Sequence, residues 1–426
     1  MTDPVRPWLA GRSEPDDDAA PCPAADAPWL TVIGIGDSGL SSLTAEALAA
    51  LDRATLVFGG ERHLAMLGET EAETVLWDKP FADGLEKLLS HAGTPTVVLA
   101  TGDPMWFGVG ATLARHLTPD EMTVIPTPSA FSLAAARLGW GLADCACLTV
   151  HGRPVEAVAR HLAPGARLLI LSEDAASPRE IARVLTARGF GPSRLTVCEH
   201  LGGAREAIRE TTAAGFDLDH GAALNTVAVE CVAGRAATPR PTVPGLPDDA
   251  FVHDGKMTKR VLRALAVAAL EPLPGAMLWD VGAGSGSIAV EWLRAAPRTR
   301  AIAIEHQAER LDMIAENATT LGVPDLVIVE GRAPEAFAEL PAPDAIFIGG
   351  GLTDGVFDAA FAALKPGGRI VAHAVTLESE AILLDLQARL GGELMRIGVE
   401  KAEKVGPYRG FRPAMPVLHW HLTKRG

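Results

Sequence analysis

Leu278-Trp-Asp-Val-Gly-Ala-Gly-Ser-Gly-Ser287 reads as a strand that turns tightly into a helix. Its apolar lead-in carries Asp280 and runs into glycines at 282, 284 and 286. Alternating glycines free the backbone dihedrals and let the chain come close to a ligand. A phosphate-cradling Gly-x-Gly-x-x-Gly loop would need glycine at 287, where this chain has Ser. Glu305 follows 23 positions after Gly282, at the end of a second short apolar run, Ala301–Glu305. An acid at that point can accept hydrogen bonds from both ribose hydroxyls of a nucleoside cofactor, or can be a plain surface glutamate at a strand end.

Outward from this stretch the second half alternates strands and helices. Expected strands are 276–281, 301–305, 326–330, 344–348 and 369–375, with two more near 393–399 and 416–423. Thr258 is expected to cap a helix with Val261, Leu262, Leu265, Ala266, Ala269 and Leu270 on one face, ended by Pro272 and Pro274. Further helices are expected at 286–295, 307–321 and 378–390. The pattern is a seven-stranded, doubly wound sheet with ligands at the carboxyl ends of its strands. The candidate lining is Gly282, Ala283, Gly284, Gly286 and Ser287, then Asp280 and Glu305, then Gly331-Arg332-Ala333 and Gly349-Gly350-Gly351. Three consecutive glycines suit either close approach of a ligand or a flexible loop.

Residues 1–28, with Asp16–Asp18 and several prolines, read as a disordered tail. The first half then alternates strands (Thr55–Phe58, Thr96–Ala100, Thr123–Ile125, Arg167–Ser172, Leu195–Glu199, Thr226–Glu230) with helical stretches, an α/β domain with a largely parallel sheet. Gly34-Ile-Gly-Asp-Ser-Gly39 is a literal Gly-x-Gly-x-x-Gly, but its helix starts only near Thr44, too late to present an N-terminus to a pyrophosphate. Ala236–Asp249, with four prolines, reads as an extended linker. The expected organisation is therefore 29–235, a linker at 236–250, and 251–426.

The formal net charge of −15 argues against a general nucleic-acid surface. Five scattered cysteines fit a reducing compartment, and Cys145-x-Cys147 has the wrong spacing for zinc, so no metal is expected. No apolar run approaches the ~18 residues of a membrane span, and the N-terminus lacks a signal-peptide core. A cytoplasmic protein is expected.

The spacing Asp-x-Gly-x-Gly-x-Gly at 280–286 resembles motif I of the class I methyltransferases, which bind S-adenosyl-L-methionine. The first half resembles a tetrapyrrole (corrin/porphyrin) methylase. The likeness is carried by Val32–Gly36, Phe58–Leu64, Val98–Pro104, Ile125–Ala130, His151–Arg153 and Glu199–Gly202. It departs from that pattern at Asp37-Ser38, often Pro-Gly, and at Thr127-Pro128, often Gly-Val. The second half, through Asp254–Arg260, the glycine loop and Ile346–Gly351, is similar to class I corrin-precursor methylases with a Rossmann-like sheet. The pair in this order resembles the fused, decarboxylating precorrin methyltransferases of cobalamin biosynthesis. That resemblance implies methylation at C5 by the first domain, and methylation at C15 with loss of the C12 acetate carboxyl by the second.

The same resemblance assigns cofactor contacts to Gly102, Asp103, Pro104, Met105, Ser129 and Ala130, although Asp103 also suits a plain Asp-Pro turn. A polycarboxylate tetrapyrrole calls for cations at the cleft mouth: Arg62 and Arg153 in the first domain, Lys256, Lys259, Arg409 and Arg412 in the second. His253, Asp254, Lys256 and Tyr408 are candidate acids or orienters for the decarboxylation; Tyr408, the single tyrosine, equally suits packing on a loop. Self-association is expected. Competing readings are an RNA methyltransferase and a S-adenosylmethionine-binding pathway scaffold with one inactive domain.

Overall fold

The computed structural model describes residues 28–219 and 221–425, so the expected tail at 1–28 lies, apart from Pro28, outside the described residues. Two compact units form, one up to Leu133 with Gly202–Ala204, the other Ala134–Leu201 with Arg205 onward.

In the first unit, five strands pair in parallel: β1 (Leu30–Ile35), β2 (Leu56–Gly59), β3 (Glu73–Leu76), β4 (Thr96–Thr101) and β5 (Met122–Ile125), in the order β3-β2-β4-β1-β5. Apolar residues fill both faces, as a parallel sheet covered on both sides requires. After β1 the Gly-x-Gly-x-x-Gly loop closes on itself. Gly36 N donates to Ser42 Oγ at 3.0 Å, and Ser42 Oγ donates to the Gly39 carbonyl. The helix Ala45–Asp52 starts only after the Thr44 cap.

The second unit opens with a sheet that departs from the largely parallel expectation. β6 (Cys145–Thr149), β7 (Arg167–Leu171), β8 (Arg194–Glu199), β9 (Ala207–Thr212) and β10 (Asn225–Glu230) are ordered β6-β7-β10-β8-β9. Only β6 and β7 are parallel; the other pairings are antiparallel. The connections explain it: the chain from Glu199 to Ala207 has no room for a crossover helix, and antiparallel pairing needs none.

The remaining strands are β11 (Met277–Val281), β12 (Arg300–Glu305), β13 (Val327–Glu330), β14 (Ala345–Ile348), β15 (Arg369–Ala374), β16 (Glu393–Ile397), β17 (Glu400–Val405), β18 (Tyr408–Pro413) and β19 (Val417–Thr423). Seven of them form the expected sheet, ordered β13-β12-β11-β14-β15-β19-β16, parallel through β15 and antiparallel at β19 and β16. β17 and β18 form a separate two-stranded hairpin. Buried apolar side chains cover both faces of the seven-stranded sheet, with Trp279, Trp292 and Trp420 fully enclosed.

The proline-rich segment 236–249 is docked rather than free. Leu246 is buried, and the backbone N–H groups of Gly245 and Leu246 donate to the Glu291 carboxylate at 2.6 and 2.9 Å. Thr258 is not the helix cap. The helix Arg260–Leu270 has Lys259 at its N-cap, and Asp248 accepts the Arg260 N–H at 2.8 Å. Its buried face is Arg263, Ala266, Val267 and Leu270, whereas Val261 is exposed. The shift follows Arg263, which turns inward to meet the buried Glu291 at 2.7 Å. Among the described residues no helix is long and apolar enough to cross a membrane.

Candidate active sites

The carboxyl ends of β11, β12 and β14 converge on the glycine loop, and the three glycines do different work. Gly282, Gly284 and Gly286 all have positive φ, at 67°, 59° and 71°. A side chain at Gly282 would lie 2.7 Å from the Gly350 carbonyl oxygen, so this glycine lets the β11 and β14 loops meet. A side chain at Gly286 would strike Ile314 at 2.9 Å, so this one lets the loop pack on the helix Ala308–Thr320. At Gly284 a side chain would meet nothing within 4 Å, which leaves open space above its backbone. Gly349 packs against the Phe347 ring, Gly350 against Gly282, and Gly351 faces open space.

Asp280 is buried, and its carboxylate accepts the Ala289 N–H at 3.0 Å, tying β11 to the first turn of the helix Ser287–Ala295. Burial, with a further push from the Glu305 charge, raises its pKa to about 7. Ser285 Oγ in the loop is buried without a hydrogen-bond partner.

Glu305 ends β12 with its side chain almost fully enclosed. One carboxylate oxygen accepts Gly284 N–H at 2.9 Å; the other accepts His306 N–H and Gln307 N–H at 2.8 and 3.1 Å. A carboxylate offers about four acceptor positions; three take these backbone donors, and the His306 ring Nδ1 lies 3.1 Å from the second oxygen. The Glu305 carbonyl accepts Gly331 N–H at 2.9 Å, which brings the β13 loop to the same place. Arg332 is exposed there, and Ala333 packs on the core.

Two residues that hydrophobic patterning did not single out organise the loop before Lys259. Arg310 makes two hydrogen bonds to one Asp254 oxygen, at 2.7 and 3.1 Å, and lies 3.8 Å from Glu305. Asn317 binds the Val252 backbone on both sides and donates to the Ser285 carbonyl at 2.9 Å. Together they join the 252–259 loop to the glycine loop and the Glu305 end. Within that loop His253 Nδ1 accepts Gly255 N–H, Asp254 accepts Lys256 N–H, and Lys259 Nζ donates to the Gly255 carbonyl at 3.0 Å. The Lys256 N–H and then Arg310 hold the Asp254 carboxyl below its ordinary range, so it stays ionised and acts only as an acceptor at neutral pH. Lys256 is exposed.

Tyr408, Arg409 and Arg412 lie elsewhere in the fold, on the hairpin β17–β18. Tyr408 is 77% exposed, and Arg412 pairs loosely with Glu403 at 3.4 Å. No hydrogen bond among the described residues joins them to the glycine loop.

In the first unit the ends of β1 and β4 and the loop after β5 meet without room for a side chain. At Gly34 one would lie 2.0 Å from the Gly102 carbonyl oxygen and 2.7 Å from Thr127 N. Gly102 itself has φ 62°. Asp103 accepts Met105 N–H at 2.9 Å, which makes it the turn former that Asp-Pro spacing allows. Ser129 is buried, and its hydroxyl accepts Ser132 N–H at the start of the helix Ala130–Leu138. What these positions leave open to solvent is backbone and the exposed Met105, while Pro104 is buried. Arg62 is committed to Asp37 at 2.9 Å and to Thr101 Oγ1 at 2.7 Å. That pairing accounts for the acid at 37. Arg153, in the second unit, is exposed.

Comparison with known proteins fits both halves. The family description Tetrapyrrole (Corrin/Porphyrin) Methylases matches residues 30–217, and Precorrin methyltransferase domain matches 249–424. A precorrin-6Y C(5,15)-methyltransferase [decarboxylating] from Sinorhizobium sp is 50% identical over 404 residues, 94% of this chain and 98% of the relative. The chain belongs to the decarboxylating precorrin-6Y C(5,15)-methyltransferase family. Shorter relatives of this family's two halves also match. A cobalt-precorrin-7 C(5)-methyltransferase from Salmonella typhimurium is 32% identical over 193 residues, 45% of this chain and 94% of its own length. A probable cobalt-precorrin-6B C(15)-methyltransferase (decarboxylating) from Pyrobaculum calidifontis is 36% identical over 182 residues, 41% of this chain and 93% of its own.

The class I site fits the cofactor such a family uses. Gly284 opens onto free space, Ser285 Oγ is an orphaned buried hydroxyl, and the Glu305 carboxylate stands at the strand end bonded to the Gly284 N–H.

Proposed function

We propose that this chain methylates a precorrin twice and decarboxylates it once, taking precorrin-6B to precorrin-8X. Residues 29–235 carry the C5 methylation. Residues 251–426, joined through 236–250, carry the C15 methylation and remove the C12 acetate carboxyl as CO₂. The observation that carries this reading is the 50% identity spanning 94% of the chain and 98% of a relative named for both activities. The two half-length relatives, one named for C5 and one for C15 with decarboxylation, support the division of labour.

When bound, S-adenosylmethionine supplies an electrophilic methyl group, so neither site needs an enzyme nucleophile. The protein's part is alignment and exclusion of water. In the second domain Gly282–Ser287, Asp280, Glu305, Gly331–Ala333 and Gly349-Gly350 hold the cofactor, with Glu305 taking a ribose hydroxyl. Asp280 acts through the helix it anchors. The 252–259 loop, fixed by Arg310 and Asn317, presents His253, Lys256 and Lys259 to the substrate's carboxylates, and Asp254 orients that loop. In the first domain the Gly102–Met105 turn and the Ser129-Ala130 helix start hold the second cofactor. Arg153 is a candidate cation for the substrate, and Arg62 supports the first site through its bonds to Asp37 and Thr101. Tyr408, Arg409 and Arg412 reach a large polycarboxylate only from the projecting hairpin. The enzyme works in the cytoplasm as a self-associated assembly, and its acidity suits no nucleic-acid partner.

Mass spectrometry of precorrin-6B incubated with the protein and S-adenosylmethionine tests this directly. A gain of two methyl groups with loss of one CO₂ is expected. An unchanged mass, with S-adenosylmethionine bound, would mean that the substrate assignment is wrong.

A further inference from the structure

Apart from the glycine-loop sites, the second unit holds a half-open pocket of ≈ 160 Å³. Its walls come from the turn Val155–His161, the end of the helix Ser177–Ala187, the segment 236–240, and the helices Ser287–Ala295 and Ala308–Thr320. Arg188, Arg240 and Arg294 line it, and Arg160 lies near enough to repel Arg294. In a chain of net charge −15, four guanidinium groups gathered at one spot call for a physical account.

Their partners are not carboxylates. Arg294, 5% exposed, donates to the carbonyls of Leu321, Arg240 and Pro241; Arg188 donates to the Thr319 carbonyl at 3.4 Å; Arg160 donates to the neutral ring of His161 at 3.0 Å. The Nε atoms of Arg188 and Arg294 are buried with no partner at all. The nearest acids are engaged elsewhere: Glu291 with Arg263, and Glu156 with Arg183 at 3.7 Å. Asp325 acts on Arg160 only through its field. Burial first, with repulsion from Arg160 and Arg240, lowers Arg294 to about 10 despite Glu291, so it remains a cation at neutral pH. Size decides the ligand class. Sites for drug-sized molecules run to about 300–1,000 Å³, so a macrocycle has no room here and only the phosphoryl end of a nucleotide could enter, whereas a compact oxyanion fits whole.

We infer that this pocket binds a compact phosphate-class oxyanion, held by the guanidinium groups of Arg188 and Arg240 above the buried charge of Arg294. Planar guanidinium forks match phosphate oxygens in geometry and charge. Arg188 belongs to the part of the unit built on the mostly antiparallel sheet, Arg294 to the part built on the seven-stranded sheet, and Arg240 to the segment that joins them. An anion between them ties the two parts together and stabilises the unit without touching the methyl-transfer chemistry.

The test is calorimetric binding and thermal unfolding of the full chain with inorganic phosphate, pyrophosphate or ADP, against chloride at matched ionic strength. One-to-one binding with a raised melting temperature is expected for at least one probe. Arg188→Gln and Arg240→Gln should each weaken it about tenfold or more, with methyl transfer unchanged. Arg188→Lys, which keeps the charge and loses the fork, should fall between wild type and Arg188→Gln. Binding of phosphate or pyrophosphate supports a free anion as the source; binding of ADP alone, lost in the Gln variants, supports the phosphoryl group of a nucleotide. The inference fails if no probe binds, or if binding survives both substitutions.

Discussion

Arg263 shows how one buried charge can set a local structure. It is fully enclosed, yet its guanidinium reaches Glu291 at 2.7 Å, Asp248 at 3.1 Å, and the carbonyls of Thr258 and Leu246, and lies over the Phe251 ring. Removing one member of such a pair strands the other in the core. Arg263→Met should therefore lower stability by about 3–5 kcal/mol, read as a shift in urea midpoint; a loss below 1 kcal/mol would refute the account. The glycine loop allows a sharper comparison. Any side chain at 284 or 286 carries the left-handed backbone cost of about 1–2 kcal/mol. Only at 286 does it also collide with Ile314, which adds about 1–3 kcal/mol of overpacking. Gly286→Ala should thus be the less stable of the two alanine variants. Gly284→Arg should abolish transfer at C15 and spare C5, because its side chain fills the space left open above the loop. Loss of both transfers would contradict two independent sites.

At the scale of elements, the start of the helix Arg260–Leu270 separates pattern from structure. Thr258 has the right chemistry for a cap, but Asp248 from the docked segment does the capping. Asp248→Ala removes this cap and also the Asp248 contact with buried Arg263, so it should cost at least about 1–2 kcal/mol, whereas Thr258→Ala should stay within about 0.5 kcal/mol; equal losses would refute the assignment. The missed elements share a cause. β9 alternates partly buried and exposed residues, and β17 is polar and exposed along its whole length, so neither carries an apolar run. β11, β12 and β14, buried on both faces, were plain in the sequence for the opposite reason. The glycine loop and Glu305 were equally legible, since glycine at fixed spacing and an acid at a strand end are chemical signals on single residues. Arg310, Asn317 and Arg263 were not. Their partners lie 56, 65 and 28 positions away, and only the fold brings them together.

At the scale of the molecule, the buried titrating groups make stability depend on pH. In the second unit burial keeps three histidines neutral: it lowers His161 and His419 to about 4 and His373 to about 3. His373 and His419 share a hydrogen bond of 2.9 Å, which two neutral rings can form and two cations cannot. Below about pH 6.5 the unfolded chain takes up three protons that the native unit refuses, so stability drops as pH falls. Asp280 works the other way. Raised to about 7, it keeps a proton that the unfolded chain releases above about pH 4, so its contribution is lost as pH rises through that window. Three against one leaves two net protons between about pH 4 and 6.5, or about 2.7 kcal/mol per pH unit as an upper value. Urea unfolding of this unit should show a clearly lower midpoint at pH 5 than at pH 6.5. Asp280→Asn, which removes the opposing proton, should steepen that dependence, while His373→Phe should flatten it by about one proton. A midpoint unchanged from pH 5 to 6.5 would show that these rings are not held neutral in the folded enzyme.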